Sequence, residues 1–170
     1  GQPRVLLLMT TRTYRSRAFM SSARRLGIEV VVGTERRQAL ASRARGTTLA
    51  LDVAHAERAI GTVVAAAKQR PFTAIVGVDD DTTVLAAMAS EALGLPQNSA
   101  ASVRASRNKH ETRRILAGAG LPSPTFALVP LGANPNAAAL DASYPCVLKP
   151  VGLSASRGVI RADDPEAFVG

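Results

Sequence analysis

The stretch that decides the fold runs from Phe72 to Leu93 and reads FTAIVGVDDDTTVLAAMASEAL. Residues 72–78 are rich in apolar and β-branched side chains, which predicts a buried strand. Three aspartates, 79–81, follow at once. Residues 82–93 then place apolar side chains at helical spacing, and Gly94 is a typical helix stop. A buried strand, a polar turn and an amphipathic helix form half of a parallel β-α-β unit.

The same alternation recurs upstream of this stretch. Apolar segments predict strands at 4–9, 28–32 and 48–52, and the segments between them predict helices at 14–26, 56–69 and, in part, 34–45. Gly27 stands where the first of these helices should end. The pattern predicts an α/β domain with a parallel sheet and helices on both faces.

Two of the predicted strands end in polar residues, at 10–13 and 79–83. Ligands of parallel α/β sheets bind at the carboxyl ends of strands, so Thr11, Asp79 and Asp80 are candidate substrate-binding residues. The aspartates are also compatible with a cation or amine site, or with simple capping of the following helix. A phosphoacceptor site would need acidic residues after the first strand, and Thr10 and Thr11 supply none.

The pattern changes after Pro96, which places a domain boundary at residue 98 and divides the chain into 1–98 and 99–170. Asn108 is a predicted helix N-cap, and Asp163 is predicted to cap a last helix. The second region is predicted to be α+β, with helices at 99–106, 109–119 and 136–140 and strands at 125–129, 146–149 and 159–161. The last two strands are close enough to form an antiparallel hairpin.

Lys149 ends an apolar strand, and the loop after it is made largely of small residues, namely Gly152, Ser154, Ala155, Ser156 and Gly158. A lysine beside accessible backbone amides is typical of a phosphate site. The alternative is a lysine at an ordinary strand end before a hairpin turn. The lysine precedes the loop, so this is not a P-loop, and no dinucleotide-binding glycine motif follows the first strand.

Composition argues against several classes of protein. The net charge of +8 comes from 18 Arg and 3 Lys, but the arginines are scattered and no basic run is interleaved with aromatic residues, which argues against nucleic acid binding. No apolar run reaches 18 residues, so no membrane span is predicted. Cys146 is the only cysteine, which fits a reducing cytoplasm, and neither His55 nor His110 has metal-ligand spacing.

Two stretches, in this order, resemble the ATP-grasp ligases. They are NSAASVRASRNKHETRRILAGAGLPSPTF at 98–126 and YPCVLKPVGLSASRGV at 144–159. The similarity is to carboxylate–amine and amino-acid ligases related to biotin carboxylase and carbamoyl phosphate synthase. It implies a Rossmann-like domain that precedes the ATP-grasp fold, followed by the first α+β portion of that fold.

The resemblance also implies roles for particular residues. Lys109 and Lys149 would contact the phosphates of ATP, and the loop would close over the β- and γ-phosphates with the residues Gly152, Ser154, Ser156, Arg157 and Gly158. The implied reaction activates a small carboxylate as an acylphosphate for attack by an amine. No catalytic residue is assigned. The Mg2+ ligands and the adenine pocket are expected beyond Gly170, so this N-terminal part is not expected to turn over ATP alone.

Two other functions stay open at this point, a biotin-type carboxylase and a non-catalytic α/β module that binds a small molecule. The expected location is the cytoplasm, and a homodimer is left open.

Overall fold

The computed structural model describes residues 1–11, 13–35 and 47–170. The predicted helix at 34–45 falls almost entirely on residues outside these ranges. The chain divides into two compact units, Gly1–Arg104 and Ala105–Gly170. The domain boundary at residue 98 stays a prediction, because compactness alone does not define a domain.

The first unit is built on a sheet of four parallel strands: β1 (Arg4–Leu8), β2 (Glu29–Thr34), β3 (Thr48–Ala50) and β4 (Ala74–Gly77). Their order across the sheet is β3-β2-β1-β4, so β1 pairs with β2 on one side and with β4 on the other. The chain therefore reverses its direction of travel across the sheet between β1 and β4. In open parallel sheets this switch point leaves a crevice at the carboxyl ends of the two strands.

Helices connect these strands. They are α1 (Ser16–Arg25), α2 (Ala56–Gln69), α3 (Thr83–Ala92) and α4 (Ala100–Arg107), the last of which crosses the division between the units. A single 3-10 turn, Asp80–Thr82, leads into α3. Gly27 and Gly94 follow the ends of α1 and α3 with φ of +63° and +65°, as expected of left-handed cap residues.

Side chains of β1 alternate between two apolar layers. Leu6 and Leu8 are almost fully buried in the larger layer, which also contains Val63 from α2 and Ala89 from α3. Leu7 points to the opposite layer, which includes partly buried Phe19 and Met20 from α1. A strand covered on both faces has no polar face, which explains the uninterrupted apolar run of this segment and confirms the α/β prediction.

Gly77 is required where β4 meets α3. A Cβ on Gly77 would lie 2.8 Å from the Cα of Thr83 and 2.9 Å from the carbonyl carbon of Thr82. Both of these are backbone atoms, which cannot rotate away. The glycine thus lets the start of α3 pack against the end of its own strand, and this places the polar turn at the sheet edge.

The second unit contains α5 (Lys109–Gly118), α6 (Pro135–Asp141), α7 (Pro165–Val169) and an antiparallel hairpin of β5 (Cys146–Leu148) and β6 (Ile160–Ala162). Asn108 caps α5 as predicted, because its side chain accepts a hydrogen bond from the Glu111 amide at 3.0 Å. Among the described residues, Ala139 and Ala162 are the only buried apolar residues of this unit.

Two details of the second unit differ from the sequence predictions. Residues 125–129 form no strand, and Phe126, Leu128 and Val129 are exposed. Their β-propensity was read correctly, but a strand also needs a hydrogen-bonded neighbour, and none of the described strands pairs with this segment. The cap of α7 is Asp164, which accepts from the Ala167 amide, whereas Asp163 accepts from the Arg161 guanidinium.

Candidate functional site

The loop between β5 and β6 is attached to the start of α5 through Lys109. The backbone amide of Lys109 donates to the carbonyl oxygen of Val151 at 3.1 Å. Its side-chain ammonium donates to the same oxygen at 3.4 Å and to the carbonyl oxygen of Leu153 at 2.5 Å. The structure thus brings together the loop and the lysine that lies about forty residues before it, which the sequence analysis related only through a resemblance.

Most backbone amides of this loop are free of protein acceptors. Within the described part of the chain, the amides of residues 152–156 and of Gly158 donate no hydrogen bond, whereas the Arg157 amide donates to the Ser154 carbonyl oxygen at 3.3 Å. Gly152, Ala155 and Gly158 are exposed, and their small size leaves the backbone accessible. Donors of this kind are available to an anionic ligand.

Lys149 follows β5 directly and is exposed. Its ammonium forms no hydrogen bond or ion pair with any described residue, in contrast to that of Lys109. Arg157 is also exposed, and its Nε donates to the carbonyl oxygen of Ser154 at 3.2 Å. One cation at the loop is therefore bound to the backbone, and another is open to solvent.

The second half of the loop has an unusual backbone. Ala155 and Ser156 both have φ of +56°, a region that side chains with a Cβ rarely adopt. Gly158 has φ of +67°, and a Cβ there would lie 2.9 Å from Cγ of Pro150. The loop thus returns closely against its own first residue, and only glycine fits at position 158.

A second cluster of polar residues lies at the switch point of the first unit. The Asp79 carboxylate accepts from the Thr10 amide at 2.9 Å and from the Thr10 hydroxyl at 3.1 Å. The Thr82 hydroxyl, which is buried, donates to the carbonyl oxygens of Leu8 and of Asp79. These bonds join the ends of β1 and β4, so the Asp79 side chain acts as a bridge across the crevice.

Opposing effects set the pKa of Asp79. Burial raises it, but the Thr10 amide, the Thr13 and Thr10 hydroxyls and the Arg15 charge stabilise the carboxylate, and the net pKa lies below the ordinary value of 3.8. Asp79 is therefore an anion that is already solvated by the protein, and its oxygens have fewer free positions for a substrate than the sequence suggested.

The other predicted residues of this edge differ from Asp79. Thr11 and Asp80 are exposed, and Asp80 supplies a carbonyl oxygen to the Thr83 hydroxyl at 2.8 Å. Sequence analysis did not select Thr10 as a site residue. Its position directly after a buried strand was the only available signal, because the partner of its amide is 69 residues away.

A search of the described ranges for metal and membrane sites was negative. No three His, Cys, Asp or Glu side chains there are grouped so that they could hold a metal ion. None of the helices in the same ranges combines the length and the apolar character needed to cross a bilayer.

Comparison with known proteins gives consistent matches. Residues 20–97 match the model of the ATP-grasp N-terminal domain. A comparison with curated protein sequences finds no match. Among solved structures, an L-amino acid ligase from Bacillus licheniformis is 26% identical with a TM-score of 0.74, and the match covers 99% of this chain and 41% of that one.

Two further structures share the fold at lower identity. An N5-carboxyaminoimidazole ribonucleotide synthetase in complex with ADP is 13% identical (TM-score 0.68) and matches over 99% of this chain and 45% of its own. A carboxyaminoimidazole ribonucleotide synthase from Aspergillus clavatus in complex with ATP is 20% identical (TM-score 0.65), with 98% and 43% covered. The chain spans less than half the length of each of these proteins.

Proposed function

Because residues 20–97 belong to the ATP-grasp N-terminal domain and the whole chain is similar to ATP-grasp ligases, we propose that this protein is an ATP-dependent carboxylate–amine ligase. In this proposal the second unit binds the phosphates of the nucleotide. The polar edge of the first unit contributes to binding of a small-molecule substrate.

One observation carries the phosphate proposal: the free amides of 152–156 and the ammonium groups of Lys109 and Lys149 belong to one short loop and its two flanks. Phosphate oxygens accept several hydrogen bonds at once and favour charged donors. The donors offered here are of both kinds, so the residues present fit a triphosphate.

Each residue has a role that follows from its position. The loop amides and the hydroxyls of Ser154 and Ser156 would donate to phosphate oxygens, and Arg157 would add positive charge beside them. Lys149, which is exposed and unpaired among the described residues, would neutralise charge as the terminal phosphoryl group moves. When bound, ATP supplies that phosphoryl group to a carboxylate oxygen, and the acylphosphate then reacts with an amine.

The described residues do not fit a magnesium site, because no group of three carboxylate, imidazole or thiolate side chains lies together. We therefore assign no step to Mg2+ within this chain, although ligases that transfer phosphoryl groups commonly use it. For the same reason we expect the 170-residue chain alone to bind nucleotide without turning it over.

An amino acid is the proposed carboxylate substrate, because the relative at 26% identity is an L-amino acid ligase. Thr11 and Asp80, both exposed at the switch-point edge, are the side chains of the first unit best placed to contact it. Asp79 would hold the edge in shape. Cytoplasmic location and a homodimer are part of the proposal but have no separate support.

The test is nucleotide-dependent ligation by the protein that carries this chain. ADP release is measured with a panel of amino acids, each alone and in pairs, for the native sequence, Lys149→Met and Lys68→Met. Lys68 is the matched control because it is exposed on α2, in the other unit. We expect Lys149→Met to lower kcat/KM for ATP by about 100-fold, or about 2.7 kcal/mol, and Lys68→Met to change it less than twofold.

The outcome also separates the alternatives. ADP release that requires bicarbonate and biotin, and not an amine, would identify a biotin-type carboxylase. Amino-acid binding without ADP release under any condition would identify a non-catalytic binding module. Equal kinetics for Lys149→Met and Lys68→Met would contradict the phosphate role of Lys149.

A further inference from the structure

The first half of the loop is held by one residue, Lys109. Val151 accepts from both the amide and the ammonium of Lys109, and Leu153 accepts from the ammonium. These bonds use the carbonyl oxygens of the loop and leave its amides untouched. The same lysine that the proposed function gives to a phosphate is thus already bound to the segment that should cover the phosphate.

The second half of the loop depends on how the first half is held. The left-handed conformations of Ala155 and Ser156 are unfavourable, and such residues persist only where the surrounding structure determines them. Two restraints are visible, the Lys109 bonds and the close approach of Gly158 to Pro150. Releasing the first restraint would let the segment 152–157 adopt other backbone conformations.

Carbonyl oxygens and phosphate oxygens compete unequally for an ammonium group. Charge-assisted hydrogen bonds between two ions are roughly twice as strong as bonds between neutral groups, so an anionic oxygen is the better acceptor for Lys109 Nζ. The distance between the ammonium and its present acceptors shows that both sets of oxygens would need the same protons. Phosphate binding at Lys109 would therefore displace the loop carbonyls.

We propose that Lys109 is a latch, a positioning residue that holds the loop through the carbonyl oxygens of Val151 and Leu153 until a nucleotide phosphate takes its ammonium. This inference rests on the proposed function for the identity of the phosphate, but the latch itself exists without nucleotide. Release of the carbonyls and exposure of the loop amides then occur together, so the loop rearranges only when a phosphate is present to receive its amides.

The direct test uses the fact that the chain has only three lysines, at 68, 109 and 149. A sample of the 170-residue chain with nitrogen-15-labelled lysine and carbon-13-labelled carbonyls shows each ammonium by NMR, and Lys→Arg variants assign the signals. Without nucleotide, we expect the Lys109 ammonium to show coupling across the hydrogen bond to the Leu153 carbonyl carbon. Lys149 and Lys68, which serve as internal controls, should show none.

Addition of ATP then tests the exchange. We expect the Lys109 coupling to the loop carbonyl to disappear while the Lys149 signal shifts. Absence of the coupling before ATP is added would overturn the latch, whatever ATP does. A coupling that persists while Lys149 shifts would overturn the displacement but leave nucleotide binding intact. If ATP perturbs no lysine, both the displacement and the phosphate-binding proposal fail.

A second measurement tests the positioning role by limited proteolysis. Trypsin can cut after Arg157, which is exposed in the loop, while the Lys149–Pro150 bond is resistant. We expect Lys109→Met to accelerate cleavage after Arg157 about five- to tenfold, as expected for loss of one hydrogen bond of typical strength. Lys109→Arg should restore most of the protection, and Lys149→Met should match the native chain. Equal cleavage in Lys109→Met and the native chain would overturn the latch.

Discussion

The two units use their polar groups in opposite ways. At the switch-point edge of the first unit, Asp79, Thr10 and Thr82 bind one another across the ends of β1 and β4. In the loop of the second unit, the amides of 152–156 have no protein acceptor. The apolar residues show the same contrast, because the first unit has nearly all of the buried ones. The difference indicates that the first unit is a rigid scaffold and that the second holds the groups free to bind.

The largest expected effect breaks the scaffold. Gly77→Val places a side chain against the backbone of Thr82 and Thr83, which cannot move without displacing α3. We expect the free energy of unfolding of the first unit to fall by about 3 kcal/mol or more, measured by urea denaturation. Gly61→Ala is the control, since nothing lies within 4 Å of a Cβ there and the helix should gain about 0.5–1 kcal/mol. Equal stability of the two variants would contradict the packing argument.

The bridge at the switch point should have the next largest effect. Asp79→Ala leaves the Thr10 amide and hydroxyl without their acceptor, and we expect a loss of about 2 kcal/mol at neutral pH. Asp141→Asn, an exposed carboxylate with no pairing seen within the described residues, should change stability by less than about 0.5 kcal/mol.

The same bridge predicts a pH dependence. The folded-state pKa of Asp79 lies below 3.8, so the stabilisation is present above that pH and is lost as the pH falls through the lower folded-state value. Denaturation curves between pH 5 and about pH 2 should converge for Asp79→Ala and the native chain. A gap that stays constant over this range would show that the carboxylate charge contributes nothing.

A substitution in the loop should leave the scaffold intact. Gly158→Ala combines a positive φ with a contact to Pro150, so we expect about 1–2 kcal/mol of local destabilisation and several-fold faster tryptic cleavage after Arg157. Gly132→Ala, also in the second unit, has an open Cβ position and should behave like the native chain. If Gly158→Ala lowers the urea midpoint of the first unit, the two units are not independent in the way the contrast suggests.

The smallest effect concerns the ion pairs at the other end of the sheet. Arg70 donates two hydrogen bonds to the Glu29 carboxylate, one of them at 2.7 Å, and Arg4 lies 3.4 Å from the same carboxylate. Because Arg70 is largely exposed, Arg70→Ala should cost about 0.5 kcal/mol. The difference should shrink in 1 M salt, and a larger, salt-independent loss would point to packing instead of charge.

The sequence was most informative where local pattern and burial agree. Helix α2 was predicted at its observed bounds, because its apolar stripe, its length and its surroundings all indicate one structure. The strand predicted at 125–129 was wrong, because propensity cannot supply a pairing partner. The choice of Asp163 as a cap was wrong for a related reason: two adjacent aspartates are equivalent in sequence, and only backbone geometry selects Asp164.

The sequence by itself determined the alternation of strands and helices, the polar strand ends and a small-residue loop after Lys149, because each depends on neighbours a few residues apart. Only the tertiary structure decided that Asp79 binds Thr10, 69 residues away, and that Lys109 binds the loop while Lys149 stays exposed. Hydrogen bonds act over about 3 Å, and which distant groups come within that distance is set by the packing of whole elements.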